Sequence, residues 1–359
     1  PNFSSFSSRL GAALPMRAFY VAFLLVFLGA LAGSAMLTPA VRWLAVRWGA
    51  MDQPNHRKIH SSPVPRLGGL AIWLALWASA LLVVRLTPAG EIVSPFGALP
   101  DLSAIFAAAT VILLLGVADD RRGRMGPWTK LTGQFAACTI LVAFGIRFTL
   151  FHTPWLDVPL TYLWVLGLTN ALNLLDNMDG LSAGVSSIAA GFFFLLAVLN
   201  GQILVGLLAI AVVGSCLGFL VYNYNPASIF MGDSGALSLG FILAVISIKL
   251  DIGNSSNLSF LIAAVVLALP IFDTSFVTWR RLREGRAVAE GGKDHTSHRL
   301  LTLGLEQRQA VWILYAASFV AGLIALFISQ GNMTTVLAVL IPFALSIFLA
   351  GVYLARVPT

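Results

Sequence analysis

Asp119 and Asp120 end an apolar run in the segment GVADDRRGR. Adjacent carboxylates can hold a divalent cation, act as a base, or form a weak interfacial ion-pair patch with Arg121, Arg122 and Arg124. The segment NALNLLDNMDGLSAG carries a denser pattern. Asn170, Asn173, Asp176 and Asp179 recur every three residues, so on a helix they drift slowly around one face. Two carboxylates with amide oxygens at that spacing are hard ligands suited to Mg²⁺. The plainer reading is a hydrogen-bonded stripe between helices, but two carboxylates in an apolar setting are costly for that purpose. Gly180 follows, and a glycine there suits a left-handed helix end.

A third cluster lies in NYNPASIFMGDSGALSLG. Asn225–Pro226 opens a loop. Asp233 and Ser234 then stand at a helix start, within reach of its free N–H groups, where phosphate is also favoured. Asp233 reads as an N-cap, a metal ligand, or both. Phe230 has the ring to stack on a base, although an aromatic residue alone is more often packing. In GGKDHTSHRLLTLG, Lys293, His295, His298 and Arg299 resemble an anion clamp for a diphosphate; the plainer reading is a basic loop held against anionic lipid. No HExxH glutamate accompanies these histidines, which disfavours zinc-protease chemistry. His56, Arg57, Lys58, His60 and Arg66 form a second basic loop, which alone reads as a topology signal. Asp273, in LPIFDTSF, follows Pro270, which should kink its helix and free backbone carbonyls; it reads as a supporting or hinge residue.

The elements that position these groups must be membrane helices. Apolar residues make up 58% of the 359 and charged residues only 10%, against roughly 45–50% and about 25% in soluble domains. The mean hydropathy is +0.88. A water-soluble fold is excluded, and the net charge of +7 points to topology and anionic substrates or lipids; no nucleic-acid partner is expected. Cys138 and Cys216 sit inside apolar runs and read as small core residues. Spanning requires about 20 mostly apolar residues, within roughly 17–25, and helices satisfy their own backbone in lipid. Eleven spans are expected, at 16–46, 68–87, 102–118, 129–147, 160–178, 181–199, 202–222, 234–250, 258–282, 309–329 and 333–355. The fold class is all-α, a polytopic helical bundle. Residues 1–15, Ser-rich and without an initiating Met, are read as a tail, and residues 16–359 as a single transmembrane domain.

Seventeen of the 22 lysines and arginines fall on one set of alternate connections. The positive-inside rule makes that side cytoplasmic, with the N-terminus outside and the C-terminus inside. All the polar clusters then fall on the same cytoplasmic side, which predicts one composite site. No internal repeat of the inverted-transporter kind is found. An ion-coupled transporter and an intramembrane aspartyl protease pairing Asp179 with Asp233 are the competing classes. The first expects its carboxylates near the midplane, and the second gives no use for so many polar loops.

In chain order, RKIHSSPVPRLGG, GVADDRRG, NALNLLDNMDGLSAG, YNYNPASIFMGDSGALSLG, PIFDT and DHTSHRLLTLG resemble the motifs of the polyprenyl-phosphate N-acetylhexosamine-1-phosphate transferases. The likeness covers roughly residues 17 to 355 and is to the WecA and teichoic-acid-initiating branch; the histidine motif of the muramoyl-pentapeptide branch is absent. The resemblance implies a bacterial plasma-membrane enzyme, often a homodimer, with a cytoplasm-facing cleft. Its substrates would be a UDP-N-acetylhexosamine, by default UDP-GlcNAc, and a polyprenyl phosphate. It implies Mg²⁺, with Mn²⁺ as the alternative ion, on Asp233 with Asn173 and Asp176. Asp119, Asp120 and Asp176 are the candidate catalytic groups. Asp179, Gly180, Asn223 and Phe230 look like a uridine pocket, and Lys58, His295, His298 and Arg299 like diphosphate or sugar contacts. One position departs from the pattern: Ser297 stands where the HxHH motif carries a histidine.

Overall fold

The computed structural model describes residues 16–54, 62–86, 98–123, 125–253, 256–287 and 292–358. Lys58 lies outside the described residues, as do His56, Arg57, His60, Arg124 and the tail before residue 16. Among the described residues the chain forms thirteen helices and one two-stranded ribbon. In chain order these are α1 (Met16–Arg47), β1 (Met51–Asp52), β2 (Val64–Pro65), α2 (Gly68–Leu86), α3 (Ala98–Arg122), α4 (Pro127–Ala143), α5 (Pro154–Leu175), α6 (Leu181–Leu199) and α7 (Ile203–Asn223). Then follow α8 (Gly232–Lys249), α9 (Ser256–Val266), α10 (Ala268–Arg283), α11 (Thr296–Thr302), α12 (Gln307–Ser329) and α13 (Met333–Ala355). The all-α membrane architecture is as expected from composition.

Nine helices among the described residues are long and apolar enough to cross a bilayer, or ten if α9 and α10 count as one broken span. The expected span 129–147 appears as α4, whose 17 residues cover about 25 Å at 1.5 Å per residue, at the short limit for crossing. The expected span 258–282 is not one helix. It breaks at Leu267 with a 73° bend. The cause is local: Pro270 has no N–H for the carbonyl of Val266, and its ring crowds that carbonyl. Helix α9 ends at Val266.

Helix α8 is the centre of the bundle. It packs against α5, α3 and α2, and it is buried without interruption from Ser234 to Ser247. Small residues permit this. A Cβ on Gly69 would collide with the backbone of Gly235, and one on Gly116 with that of Ser234. The starts of α2 and α8 and the end of α3 are therefore drawn to one place. Helix α13 is the opposite case, with only Val336 and Leu354 buried. Its outward Ile341, Leu345, Phe348 and Leu349 suit hydrocarbon, where apolar exposure costs nothing.

Candidate active site

The loop before α8 is stitched to the ribbon that precedes α2. Phe230 N–H donates to the Pro65 carbonyl at 2.8 Å, Gly68 N–H to the Phe230 carbonyl at 3.0 Å, and Gly69 N–H to the Met231 carbonyl at 2.9 Å. Gly232 follows with φ of +70°, and a Cβ there would strike the Asp120 carboxylate. That vacancy lets Asp120, at the end of α3, sit over the start of α8. Its two oxygens accept the N–H groups of Asp233 at 2.9 Å and Ser234 at 3.0 Å. Asp233 thus does not cap α8, as its position suggested. Asp120 performs the capping from another helix, which satisfies free N–H groups of the first turn and leaves the Asp233 carboxylate to other partners.

Those partners are Asn173, whose Nδ2 donates to Asp233 Oδ1 at 3.1 Å, and Lys130, which pairs closely with Asp233 Oδ2. Lys130 also sits 3.0 Å from Asp119 Oδ2, and Asp119 accepts the Met125 N–H. Sequence reasoning missed Lys130; its one signal was its place at a helix start ten residues after Asp120.

The expected helical stripe is shorter than its spacing suggested. Helix α5 ends at Leu175, with Asp176 as its C-cap residue. Asn177 Nδ2 donates to the Leu174 carbonyl at 2.9 Å, a side-chain bond that competes with continuation of the helix. Asn173 remains helical, Asp176 turns off the end, and Asp179 lies in the following turn. Asp179 Oδ2 accepts from Asn225 Nδ2 at 2.9 Å and from Ala227 N–H at 3.0 Å. Gly180 is left-handed, with φ of +76°, but it begins α6 and does not end α5. Its N–H donates to Asn223 Oδ1 at 3.1 Å, and Asn223 Nδ2 donates to the Ile229 carbonyl at 3.0 Å. Asn223 is buried and fastens three segments together.

These segments enclose a polar cleft of about 580 Å³. Of the predicted residues, Asp120, Asn173, Asp176, Asp179, Asn223, Phe230, Asp233 and His298 line it. The cleft lies at helix ends: the ends of α3, α5 and α7 and the starts of α8, α11 and α12, beside the ribbon that precedes α2. Burial, with Asp233 and Asp120 nearby, pushes the Asp176 carboxyl up to about 8.

The basic segment 294–299 is arranged differently from the expected clamp. Asp273, buried in α10, binds His295 Nδ1 through Oδ2 at 2.7 Å and accepts the Thr296 N–H on Oδ1 at 2.7 Å. Arg299 is fully buried. Its guanidinium donates to the carbonyls of Asp294 at 3.2 Å, Leu354 at 3.0 Å and Val357. The structure therefore does not bring His295 or Arg299 to the cleft wall. Asp294 pairs with Arg281 at 3.0 Å and with Arg286 at 2.9 Å. Burial would raise its carboxyl, but the two arginines outweigh that and hold it below the usual range. His298 alone of these reaches the cleft. Burial, with His295 close by, lowers it to about 4, and its Nδ1 has no partner among the described residues.

Residues 102–251 match the family described as Glycosyl transferase family 4. Over 324 residues the chain is 34% identical to a Bacillus subtilis protein named "Probable undecaprenyl-phosphate N-acetylglucosaminyl 1-phosphate transferase", covering 88% of this chain and 86% of the relative. It is 32% identical over 355 residues to a decaprenyl-phosphate N-acetylglucosaminephosphotransferase of Mycolicibacterium smegmatis, covering 86% and 81%. A Staphylococcus aureus phospho-N-acetylmuramoyl-pentapeptide-transferase is 31% identical over only 189 residues, half of this chain and 57% of the relative. With its ordered motifs and multi-pass helical fold, the chain belongs to the polyprenyl-phosphate N-acetylhexosamine-1-phosphate transferases, phosphotransferases embedded in the membrane.

Proposed function

We propose that this protein transfers GlcNAc-1-phosphate from UDP-GlcNAc to a polyprenyl phosphate, with its cleft facing the cytoplasm. The observation that carries the reading is the meeting of Asn173, Asp176, Asp233 and His298 in one cleft at the helix ends. The long matches to GlcNAc-1-phosphate transferases support this sugar over a muramoyl-pentapeptide donor. Placement at helix ends argues against a midplane transport site. Asp179 already accepts two N–H donors, which argues against a proton-sharing protease dyad.

Asp233, Asp176 and Asn173 are the residues that would hold Mg²⁺. Among the described residues no three histidine, cysteine or acidic side chains form a full metal cage. Mg²⁺ does not require one: it is usually bound through one or two carboxylates, waters and substrate phosphates. The raised Asp176 carboxyl, crowded by Asp233 and Asp120, fits a place that wants positive charge. When bound, the ion neutralises negative charge on the diphosphate.

In the reaction an oxygen of the lipid phosphate forms a bond to the β-phosphorus of the donor. The bond from that phosphorus to the bridging oxygen breaks, and UMP leaves with the electron pair. Transfers of this type rely on positioning and charge neutralisation. The lipid phosphate is already largely ionised near neutral pH, given a second phosphate pKa of about 6, so no strong base is needed. Lys130, between Asp119 and Asp233, fixes the two carboxylates. Asp120 positions the start of α8, Asp119 holds Lys130 and the Met125 N–H, Asp179 and Asn223 shape the nucleotide end, and Phe230 offers a ring to the base. The protein is further proposed to act as a homodimer, which light scattering in detergent checks.

The test is to incubate the purified protein with undecaprenyl phosphate, Mg²⁺ and a panel of UDP-sugars and to measure UMP. Release that needs UDP-GlcNAc and the lipid, stops in EDTA and returns with Mg²⁺ is expected. Release without lipid phosphate, or unchanged in EDTA, overturns the reading.

A further inference from the structure

Residues 295–299 are held on three sides, and one of those attachments ties them to the end of α5 beside the cleft. Ser297 is 1% exposed, and its hydroxyl donates to Asn177 Oδ1 at 2.6 Å. Asn177 is itself fixed, because its Nδ2 donates to the Leu174 carbonyl at the end of α5. The neighbours of this pair matter. Ser297 precedes His298, and Asn177 follows Asp176; both His298 and Asp176 line the cleft. One hydrogen bond therefore sets the separation between the anion-facing wall and the carboxylate wall. The same bond joins residues 120 positions apart in the chain.

We propose that Ser297 is a positioning residue: the Ser297–Asn177 bond latches the histidine segment to the end of α5 and thereby sets His298 against the sugar-diphosphate. This rests on the donor-binding role proposed for the cleft. His298 suits the part. Its Nδ1 is buried without a partner among the described residues, a vacancy that a substrate oxygen would fill. The other side chains of the segment are already engaged: His295 with Asp273, Arg299 with backbone carbonyls.

The test uses the full-length protein in nanodiscs, with S297A, S297T, N177A and the S297A/N177A double variant. A net hydrogen bond is worth up to about a tenfold change in an equilibrium. S297A is expected to lower kcat/KM for the UDP-sugar about tenfold, with KM for the lipid unchanged and S297T restoring most of the loss. The double variant should fall no lower than N177A. Amide hydrogen exchange supplies a readout independent of turnover: S297A should speed exchange over residues 176–180. If the wild-type protein releases no UMP but S297A still loosens that segment, the latch stands and the assigned reaction fails. Unchanged exchange in S297A overturns the latch. So do fully additive losses in the double variant, or a donor kcat/KM equal to wild type.

Discussion

The helix starts of α8 and α11, both at the cleft, are each capped by a buried aspartate from a different helix. Asp120 of α3 caps α8 through the N–H groups of Asp233 and Ser234. Asp273 of α10 caps α11 through the Thr296 N–H and also binds His295. The surroundings then diverge. Around α8 the carboxylates of Asp176, Asp179 and Asp233 crowd the cleft, with Lys130 bound to one of them. Around α11 the charged side chains are engaged inside the protein: Asp294 pairs with Arg281 and Arg286, and Arg299 donates to three carbonyls. A region whose acids are so buried and crowded that Asp176 keeps its proton near neutral pH has affinity to give to a cation. A region whose polar groups are already engaged gives rigidity, and here it presents one imidazole. The capping aspartates are alike, but the first region is built to bind and the second to hold.

The comparison breaks most visibly at Asp233. D233A should cost about 10³-fold in UMP release, the scale of losing a charge-stabilising group from an active site, and should weaken the response to added Mg²⁺. An activity titration with Mg²⁺ measures both. Next comes Asp273, on the holding side. D273A leaves the Thr296 N–H and His295 Nδ1 without their acceptor, and a supporting residue of this kind is worth roughly 10–100-fold. The loss should appear in kcat and in donor KM with the Mg²⁺ response intact. A shifted Mg²⁺ response in D273A would merge the two regions and remove the distinction.

Much of this was legible in the sequence, for identifiable reasons. Helix positions follow from long apolar runs, because lipid leaves a chain few alternatives. The clusters around Asp120, Asp176, Asn223, Asp233 and His298 were placed on one face by counting charges along alternate loops, and they line one cleft. What escaped was the direction of individual side chains. Spacing puts Asp233 at a helix start but cannot reveal that Asp120 arrives from 113 residues away to cap it. A motif of histidines and an arginine looks like an anion clamp whether its arginine meets substrate or, as with Arg299, backbone carbonyls. The end of α5 was placed late because Asn177 takes the Leu174 carbonyl, a local competition that periodicity does not register. The break at Leu267 was expected only as a kink, since Pro270 alone does not set the 73° angle.

Arg299 separates holding from binding by a different measurement. R299M removes donors from the carbonyls of Asp294, Leu354 and Val357, and a buried acceptor left unsatisfied costs about 1–3 kcal/mol. A loss of about 3 kcal/mol in stability is expected, read as a lower unfolding midpoint in detergent. Donor KM of the protein that remains folded should change less than about threefold, since the guanidinium makes no substrate contact. A tenfold rise in donor KM at an unchanged midpoint would return Arg299 to the role of diphosphate clamp.

The smallest effect concerns the imidazole that the second region presents. Burial lowers His298 from 6.5 to about 4, so folding favours its neutral form. The unfolded chain takes up a proton as pH falls below about 6.5, whereas the folded chain does so only near 4. Stability from this group is therefore complete above pH 6.5 and is lost progressively between 6.5 and 4. At 1.36 kcal/mol per pH unit the loss from pH 7 to 5 is about 2 kcal/mol at most. H298Q keeps a polar side chain but has no such proton, so its unfolding midpoint should fall less than that of wild type over the same range. Asp294 also loses stabilising charge in acid, because its carboxyl is held low by Arg286 and Arg281, but that loss begins nearer its own lower range and is common to both proteins. The difference between the two midpoint curves isolates the histidine. Parallel curves would mean that His298 takes up its proton alike in the folded and unfolded chain, and burial in the second region would then not hold the ring neutral below pH 6.5.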